Sequence, residues 1–399
     1  MAKGHLISGL DIGTNSIKIL VALKKPGEKD LEIMSQAEVE NFGIRKGAVI
    51  NSSQVSQKII EATNLCQEGL EKKIESAIIN INGSHLSFLP GRGLVSVSRA
   101  DQKISETDIE RALQASRNIS LSINEEVLET YPQEFIIDSQ PGIKEVEGLR
   151  GIRLEAKTLC LVVFSPYLKN LSNSVLGANI EIEDILPSAL ASAQAVLEQK
   201  EKELGVALIE IGGGTTNLAI FEEGNLVHAK VLPLGSNNIT NDIAIILKIE
   251  IEEAENIKKS FTSFNLKRSG SLKEAQKQGQ EFSKKVILKI IEARTKEIFS
   301  EINKELKRFG KNKLPAGIVL TGGGAKLAKT IDFAKKELKL HCRLGLPKGF
   351  SPQIDDLAWS TVCGLVLEGA KTLETEGGSS FAEKGIIKKI KGFFRIFIP

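Results

Sequence analysis

Two stretches far apart in the chain share one pattern. LISGLDIGTNSIKILVAL at 6–23 and VALIEIGGGTTNLAIF at 206–221 each run an apolar, β-prone segment into a glycine turn and out into a second apolar segment. Aligning LDIGTNSIKIL with IEIGGGTTNLAI puts Asp11 and Glu210 at equivalent places, two residues before the first glycine. A strand, turn, strand unit that recurs after about half the chain predicts two lobes of related fold. Glycine lets backbone approach a phosphate closely, and the unobstructed N–H groups of such a turn form an anion-binding concavity. Gly13, Thr14 and Asn15, with Gly212, Gly213, Gly214, Thr215 and Thr216, are therefore candidates to grip a polyphosphate from two sides.

A third glycine turn differs. In AGIVLTGGGAKLAKTIDFAKKEL at 316–338 an apolar strand passes through Gly322, Gly323 and Gly324 into an expected helix with Leu327, Ile331, Ala334 and Leu338 on one face. Glycines before a helix N-terminus suit a nucleotide's base and ribose. One such turn alone is most often a tight turn and nothing more; the three in this order are far more specific. They argue against a Rossmann reading, because the first two turns lead into strands where a dinucleotide fold needs a helix. No GxxxxGK[ST] phosphate loop occurs.

Composition narrows the rest. With 399 residues, 41% of them hydrophobic, the chain can bury the cores of several domains. A net charge of +3 is too small for a general nucleic-acid binder, and one Trp with two Tyr gives no base-stacking platform. The start, MAKGHLISGLDIG, lacks the features of an export signal. Cys66, Cys160, Cys342 and Cys363 form no CxxC pair, which suits reduced, buried thiols in a cytoplasm, and with His5, His85, His228 and His341 they give no structural metal pattern. The adjacent His341 and Cys342 have no third group to complete a nucleophilic arrangement.

Between the two hairpins, residues 84–162 offer short alternating strands such as LVSVS and EFIID and a helix opened by the capping pattern from Ser105 to Asp108, a compact α+β unit. Residues 241–312 are helical, charged and lysine-rich, with an expected apolar stripe of Phe282, Val286, Ile290, Ala293, Ile298, Ile302 and Leu306. Most of those charges read as a solvated helix face. Near the end, KTLETEGGSSFAE at 371–383 is polar and reads as a flexible tether. Beyond it, GIIKKIKGFFRIFIP places Ile386, Ile387, Ile390, Phe393, Phe394, Phe397 and Ile398 within an arc of roughly 140° on a helix, with Ile396 breaking the division. Lys384, Lys388, Lys389, Lys391 and Arg395 lie on the other side. Such a segment is too short and too charged to span a bilayer, and it either packs on its own domain or lies in the headgroup plane with Lys facing anionic lipid. The tether favours the membrane, since a helix that packs at home needs no long linker.

The three turns resemble those of the actin, Hsp70 and sugar-kinase superfamily. A finer resemblance, to the bacterial FtsA family, covers nearly the whole chain: GLDIGTNSIK, HLSFLPGRGLVSVSRADQKISETDIERAL, YPQEFIID, GLRGIRLEA, GANIEIEDILPSALASAQAVL, LPLGSNNITNDIAIILKIEIEEAENIK, IIEARTKEIF and the basic aromatic tail. The resemblance implies an α/β, two-lobed actin-like (ribonuclease H-like) fold with an inserted α+β subdomain in the first lobe and a C-terminal amphipathic helix. The expected division is 1–83 with 163–195 for the first lobe, 84–162 for the insert, 196–240 with 313–370 for the second lobe, 241–312 for a helical subdomain, 371–383 for the linker and 384–399 for the membrane helix.

The same resemblance implies ATP and Mg²⁺ as cofactors, the ion held through water by Asp11 and Glu210. Lys18 falls where actin has a phosphate-contacting lysine, although an outward surface lysine is an equal reading. The partners implied are the C-terminal tail of FtsZ on the helical subdomain, with Arg294 as the pairing candidate, further copies of the chain, anionic lipid, and other division proteins through the insert. Two positions depart from the pattern. Relatives commonly read DIGGGTxD where this chain has Glu210 and Asn217, which moves a carboxylate by about one methylene and removes a proton acceptor, so nucleotide binding survives better than hydrolysis. The expected role is an ATP-binding adaptor with slow turnover at the cytoplasmic face of the membrane at the division site. The competing readings are an adaptor of a type IV pilus or secretion assembly and a small-molecule kinase or chaperone-type ATPase.

Overall fold

The computed structural model describes residues 4–262, 284–311 and 313–375. The first lobe opens with β1 (His5–Ile12), β2 (Ser16–Lys24) and β3 (Leu31–Glu40), then the short pair β4 (Ile44–Arg45) and β5 (Ala48–Val49), helix α1 (Ser52–Gln67) and β6 (Ser76–Ile81). The insert follows as β7 (Ser87–Ser96), α2 (Glu106–Ser116), β8 (Glu125–Ile137), β9 (Gln140–Ile143) and β10 (Arg153–Phe164). The chain returns to the first lobe with α3 (Ser165–Leu176), β11 (Glu181–Pro187) and α4 (Ser188–Val196). After α5 (Gln199–Leu204), the second lobe forms β12 (Val206–Ile211), β13 (Thr216–Glu222) and β14 (Asn225–Leu232). Helices α6 (Ser236–Leu247), α7 (Ile251–Ser260) and α8 (Lys284–Arg308) come next, then β15 (Gly317–Thr321), α9 (Thr330–Leu338), β16 (Cys342–Leu344), β17 (Phe350–Ser351) and α10 (Ser360–Thr375).

The two main sheets share one plan. The first runs β11-β6-β1-β2-β3-β17 and the second β14-β13-β12-β15-β16. In each, the glycine hairpin and the next strand make an antiparallel meander, and the hairpin's first strand is flanked on its other side by parallel strands. β12 is buried throughout and β1 from Gly9 to Ile12, as strands covered on both faces must be. β17 and α10 depart from the expected boundaries. β17 pairs with β3 at the edge of the first sheet. α10 packs on α4, β1, β2 and β6, so the end of the segment assigned to the second lobe crosses back to the first. The crossing is close: a Cβ on Gly364 would lie 1.7 Å from the Ala191 carbonyl oxygen, so only glycine lets α10 meet α4 backbone to backbone.

In the insert, α2 packs on the sheet β7-β10-β8-β9 around Ile104, Ala112, Phe135, Ile137, Val146, Leu154 and Ala156. Its expected cap is present, with Ser105 and Asp108 each bonding the other's backbone N–H. The stripe on α8 is corrected. Val286 and Ala293 are exposed, and the buried face is Ile287, Ile290, Ile291, Thr295, Ile298, Phe299, Ile302 and Leu306. The helix serves two cores: Ile287, Ile290 and Ile291 pack with α6 and α7, whereas Ile298 to Leu306 cover the second lobe's sheet. One straight stripe cannot face both. Phe282 lies outside the described residues, as do the linker beyond Thr375 and the tail at 384–399. The linker's expected first residues, 371–375, are instead the last turn of α10, with Leu373 buried.

Candidate functional site: two glycine turns in contact

The hairpins meet tip to tip. Each turn is closed by the same bond, from Gly13 N–H to Ser16 O at 3.0 Å in the first and from Gly212 N–H to Thr215 O at 2.8 Å in the second. Register places Asp11 across from Lys18 and Glu210 across from Asn217, so the acidic positions are equivalent in space as well as in sequence. Between the tips there is no slack. A Cβ on Gly214 would fall 2.9 Å from Thr14 Oγ1, and one on Gly213 would fall 2.7 Å from the Asn15 side chain. Asn15 and Asn237 exchange two amide hydrogen bonds of 2.7 Å. Asn82 Nδ2 donates to Thr215 Oγ1 at 3.1 Å. Among the described residues the N–H groups of Thr14, Asn15, Gly213 and Gly214 have no acceptor. A polyphosphate can use these donors from between the tips only when the lobes part.

Below the tips the two carboxylates are held by neutral partners. Asp11 is buried and accepts from Asn80 Nδ2 at 2.8 Å, while Asn80 Oδ1 takes the Ile12 N–H at 2.7 Å. Burial pushes the Asp11 carboxyl up to about 7, against the pull of Lys18 and with a further push from Glu210. Glu210 accepts from Asn217 Nδ2 at 2.9 Å and from the Thr361 hydroxyl, a residue of α10. Asn217 thus acts as a donor to Glu210, and its own Oδ1 has no partner among the described residues. Lys18 is 6% exposed, bonded to Ser16 Oγ at 2.7 Å and paired with Glu38 at 3.2 Å, which removes the reading of an outward surface lysine.

Two expected positions sit differently from the sequence reading. Thr216 is fully buried and its hydroxyl donates to Leu234 O at 2.8 Å, so it ties β13 to the chain leaving β14 and presents no free donor. At the third turn, Gly322 takes φ +86° and a short 3₁₀ turn, Gly323–Lys326, intervenes before α9 begins at Thr330. The helix N-terminus therefore does not follow the glycines directly. The turn packs instead on the end of β12, where a Cβ on Gly324 would lie 2.4 Å from Ile211 Cγ2. Arg294 stands apart on α8, its guanidinium forked onto Asp242 of α6 with two bonds of 2.8 Å and touching Glu297. Ile386, Ile387, Lys388, Lys389, Ile390, Lys391, Phe393, Phe394, Arg395 and Phe397 lie outside the described residues.

Sequence reasoning missed the amides that build the site. Asn41 bonds Gly13 O through Nδ2 and Asn15 O through its N–H, and Asn80, Asn82 and Asn237 act as above. The one signal was local: Asn80 and Asn82 fall in NINGS at the end of a strand. Behind the second hairpin, buried Lys258 of α7 bonds Thr240 at 2.8 Å, Ser236 O at 3.3 Å and Glu255 at 2.6 Å, fixing α7 to the first turns of α6. Burial lowers the Lys258 ammonium's pKa, against the pull of Glu255.

Residues 207–364 match the sequence profile of the cell division protein FtsA, and residues 83–162 match that of the SHS2 domain inserted in FtsA. The cell division protein FtsA of Pseudomonas aeruginosa is 34% identical over 377 residues, which cover 92% of this chain and 90% of that protein. Among solved structures, a chain of the PilM-PilN type IV pilus biogenesis complex superposes with a TM-score of 0.66 at 17% identity, covering 91% of this chain and 98% of that one. MreB5 of Spiroplasma citri bound to AMPPNP superposes with a TM-score of 0.52 at 14% identity, covering 95% of this chain and 100% of that one. At such identities the structural likenesses concern the fold alone, which is the two-lobed actin-like ATPase fold with an SHS2 insert.

Proposed function

The chain belongs to the FtsA family of actin-like cell-division proteins, and from that premise we propose that it is an ATP-binding adaptor that self-associates on the cytoplasmic membrane at the division site and tethers FtsZ filaments there. The observation that carries the nucleotide part is the pair of equivalent glycine turns meeting tip to tip, with four unpaired N–H groups and a carboxylate beneath each. Gly13, Thr14, Asn15, Gly212, Gly213, Gly214 and Thr215 would line the phosphates, with Gly322 to Gly324 beside them on the end of β12 and Lys18 beneath the first turn. The carboxylates also fit Mg²⁺ held through water, since each has two oxygens and lone pairs beyond those its protein partners use. The ion would offset phosphate charge.

The nucleotide acts here as a conformational ligand. It separates the tips and biases the lobe angle, and it can shift the population only through its differential affinity for the parted form. Hydrolysis is slow in this reading, because Asn217 donates to Glu210 where relatives carry a second carboxylate. Arg294 recruits the FtsZ tail by sharing or exchanging its Asp242 contact with a partner carboxylate. The insert recruits later division proteins. The tail residues Ile386 to Phe397 bind anionic lipid; each base adds about 1 kcal/mol near the surface, and several copies on one filament make a weak anchor durable. No helix of the described residues is long and apolar enough to cross a membrane. The likeness to PilM keeps an adaptor of pilus assembly as the second reading, but it rests on fold at 17% identity whereas the family match rests on sequence.

The test is co-pelleting with anionic liposomes, comparing the full chain with one ending at Thr375, with and without ATP, and with a labelled FtsZ tail peptide. A cut after Lys371 would remove the buried Leu373 and damage α10. The adaptor reading expects the full chain to pellet and carry the peptide down and the shortened chain to remain in solution. Both chains remaining in solution would refute the membrane part, and pelleting without the peptide would refute the tether.

A further inference from the structure

A third turn of the first lobe reaches the place where the hairpin tips meet, and it carries a cation not used above. β4 and β5 pair Ile44 with Val49 and Arg45 with Ala48, which leaves Lys46 and Gly47 as a two-residue turn. Their φ values of +50° and +80° make it a type I′ turn. Its first position suits Asn, Asp or Gly, which tolerate the left-handed region; a lysine there gains nothing from the turn. The turn is also fixed in place. A Cβ on Gly47 would lie 2.7 Å from the Gly83 nitrogen behind it, and on the opposite side a Cβ on Gly214 would lie 3.3 Å from Lys46 Cα. The same Gly214 position faces Thr14 Oγ1, so Lys46 stands at the point where both tips converge.

The electrostatics of that point are incomplete without it. The unpaired N–H groups of Thr14, Asn15, Gly213 and Gly214 are directional donors but bring no net charge. Lys18, the cation that the sequence places on the hairpin, is buried and already paired with Glu38. Lys46 is exposed, and among the described residues its ammonium has no ion pair. A lysine is a point charge on a flexible stem and can follow a phosphate as the tips part.

We propose that Lys46 binds the terminal phosphates of the nucleotide, entering from a third side between the two hairpin tips. The proposal rests on the nucleotide reading of the hairpins and adds to it the residue that distinguishes a polyphosphate from a monophosphate.

The experiment titrates the full chain with ATP, ADP and AMP in the presence of Mg²⁺, for the parent and for Lys46→Asn, Lys46→Arg and Lys46→Ala. Asn suits the turn better than Lys, so Lys46→Asn should unfold at or above the parent's Tm while binding ATP about tenfold more weakly. ADP should lose less and AMP nothing. Lys46→Ala should lose ATP affinity as Asn does, and Lys46→Arg should restore most of it. Unchanged ATP binding by Lys46→Asn and Lys46→Ala, or an equal loss for AMP, would make Lys46 a turn residue and overturn the proposal while leaving the hairpin reading intact. A parent chain that binds ATP no better than AMP would sink the hairpin reading itself, and this proposal with it.

Discussion

Replacing Asn237 with alanine should make the site easier to open. Asn15 and Asn237 exchange two hydrogen bonds of 2.7 Å across the tips, both exposed to solvent. An intramolecular hydrogen bond contributes about 0.5–1.5 kcal/mol net, and exposed amides fall at the low end, so the pair biases the closed form by about 1 kcal/mol. That corresponds to about a fivefold change in the ratio of closed to open forms. The substitution is clean for two reasons. Asn15 remains solvated when its partner is lost, so no polar group is stranded, and the backbone bond from Asn237 N–H to Gly213 O at 2.8 Å is untouched. Apparent affinity scales with the fraction of protein already competent to bind, so opening the latch should raise it. Stopped-flow mixing with a fluorescent ATP analogue should show association about fivefold faster and an apparent Kd lower by up to the same factor. Asn237→Asp, which keeps an acceptor for Asn15 but loses the returning donor, should fall between. An unchanged association rate would refute the latch, and a weaker Kd at the parent's rate would mean that Asn237 belongs to the bound state.

Asn217→Asp sets a carboxylate against Glu210 at a site where Asn217 is 1% exposed and its Nδ2 lies 2.9 Å from Glu210 Oε2. Two buried like charges force one carboxyl to keep its proton in the folded state, with a raised pKa. The unfolded chain ionises it above about pH 4, so the penalty is small below that and grows with pH to about 2–3 kcal/mol near neutrality. Thermal unfolding at acidic and neutral pH checks this; an equal deficit at both would refute it. Asp11→Asn gives a second pH test. Burial pushes the folded Asp11 carboxyl up to about 7, above its unfolded value of about 4. Its contribution is fully present below the unfolded pKa and is lost as pH rises through the folded one, by up to about 4 kcal/mol. Asn keeps an acceptor for Asn80 and cannot ionise, so the variant should match the parent near pH 4 and exceed it near pH 8. Parallel stability curves would show that Asp11 is ionised in the folded chain.

What could be read in the sequence was whatever a local pattern dictates. Apolar runs around glycine turns gave both hairpins, and the Ser105 to Asp108 pattern gave a real cap, because those structures are fixed by neighbours a few residues away. The third turn misled, since the run from Thr321 to Leu338 looks continuous while Lys329 is left-handed and α9 waits until Thr330. The amides of Asn41, Asn80, Asn82 and Asn237 were invisible for a different reason: an isolated asparagine acquires its role only when distant segments meet. The same contacts give the site its reach. Ser236 and Asn237 open α6 with N–H bonds to Gly212 O and Gly213 O at 2.9 and 2.8 Å. Asp242, further along that 12-residue helix, holds Arg294 in both oxygens. A helix of that length spans about 18 Å and bends little, and the Lys258 cluster clamps α7 to its first turns. Any parting of the tips that moves the second turn therefore moves α6 with it, and with α6 the carboxylate that holds Arg294. Nucleotide at the hairpins and a partner at the helical subdomain would then be coupled through one rigid element with two positions, and by linkage each would alter the other's affinity by the same factor.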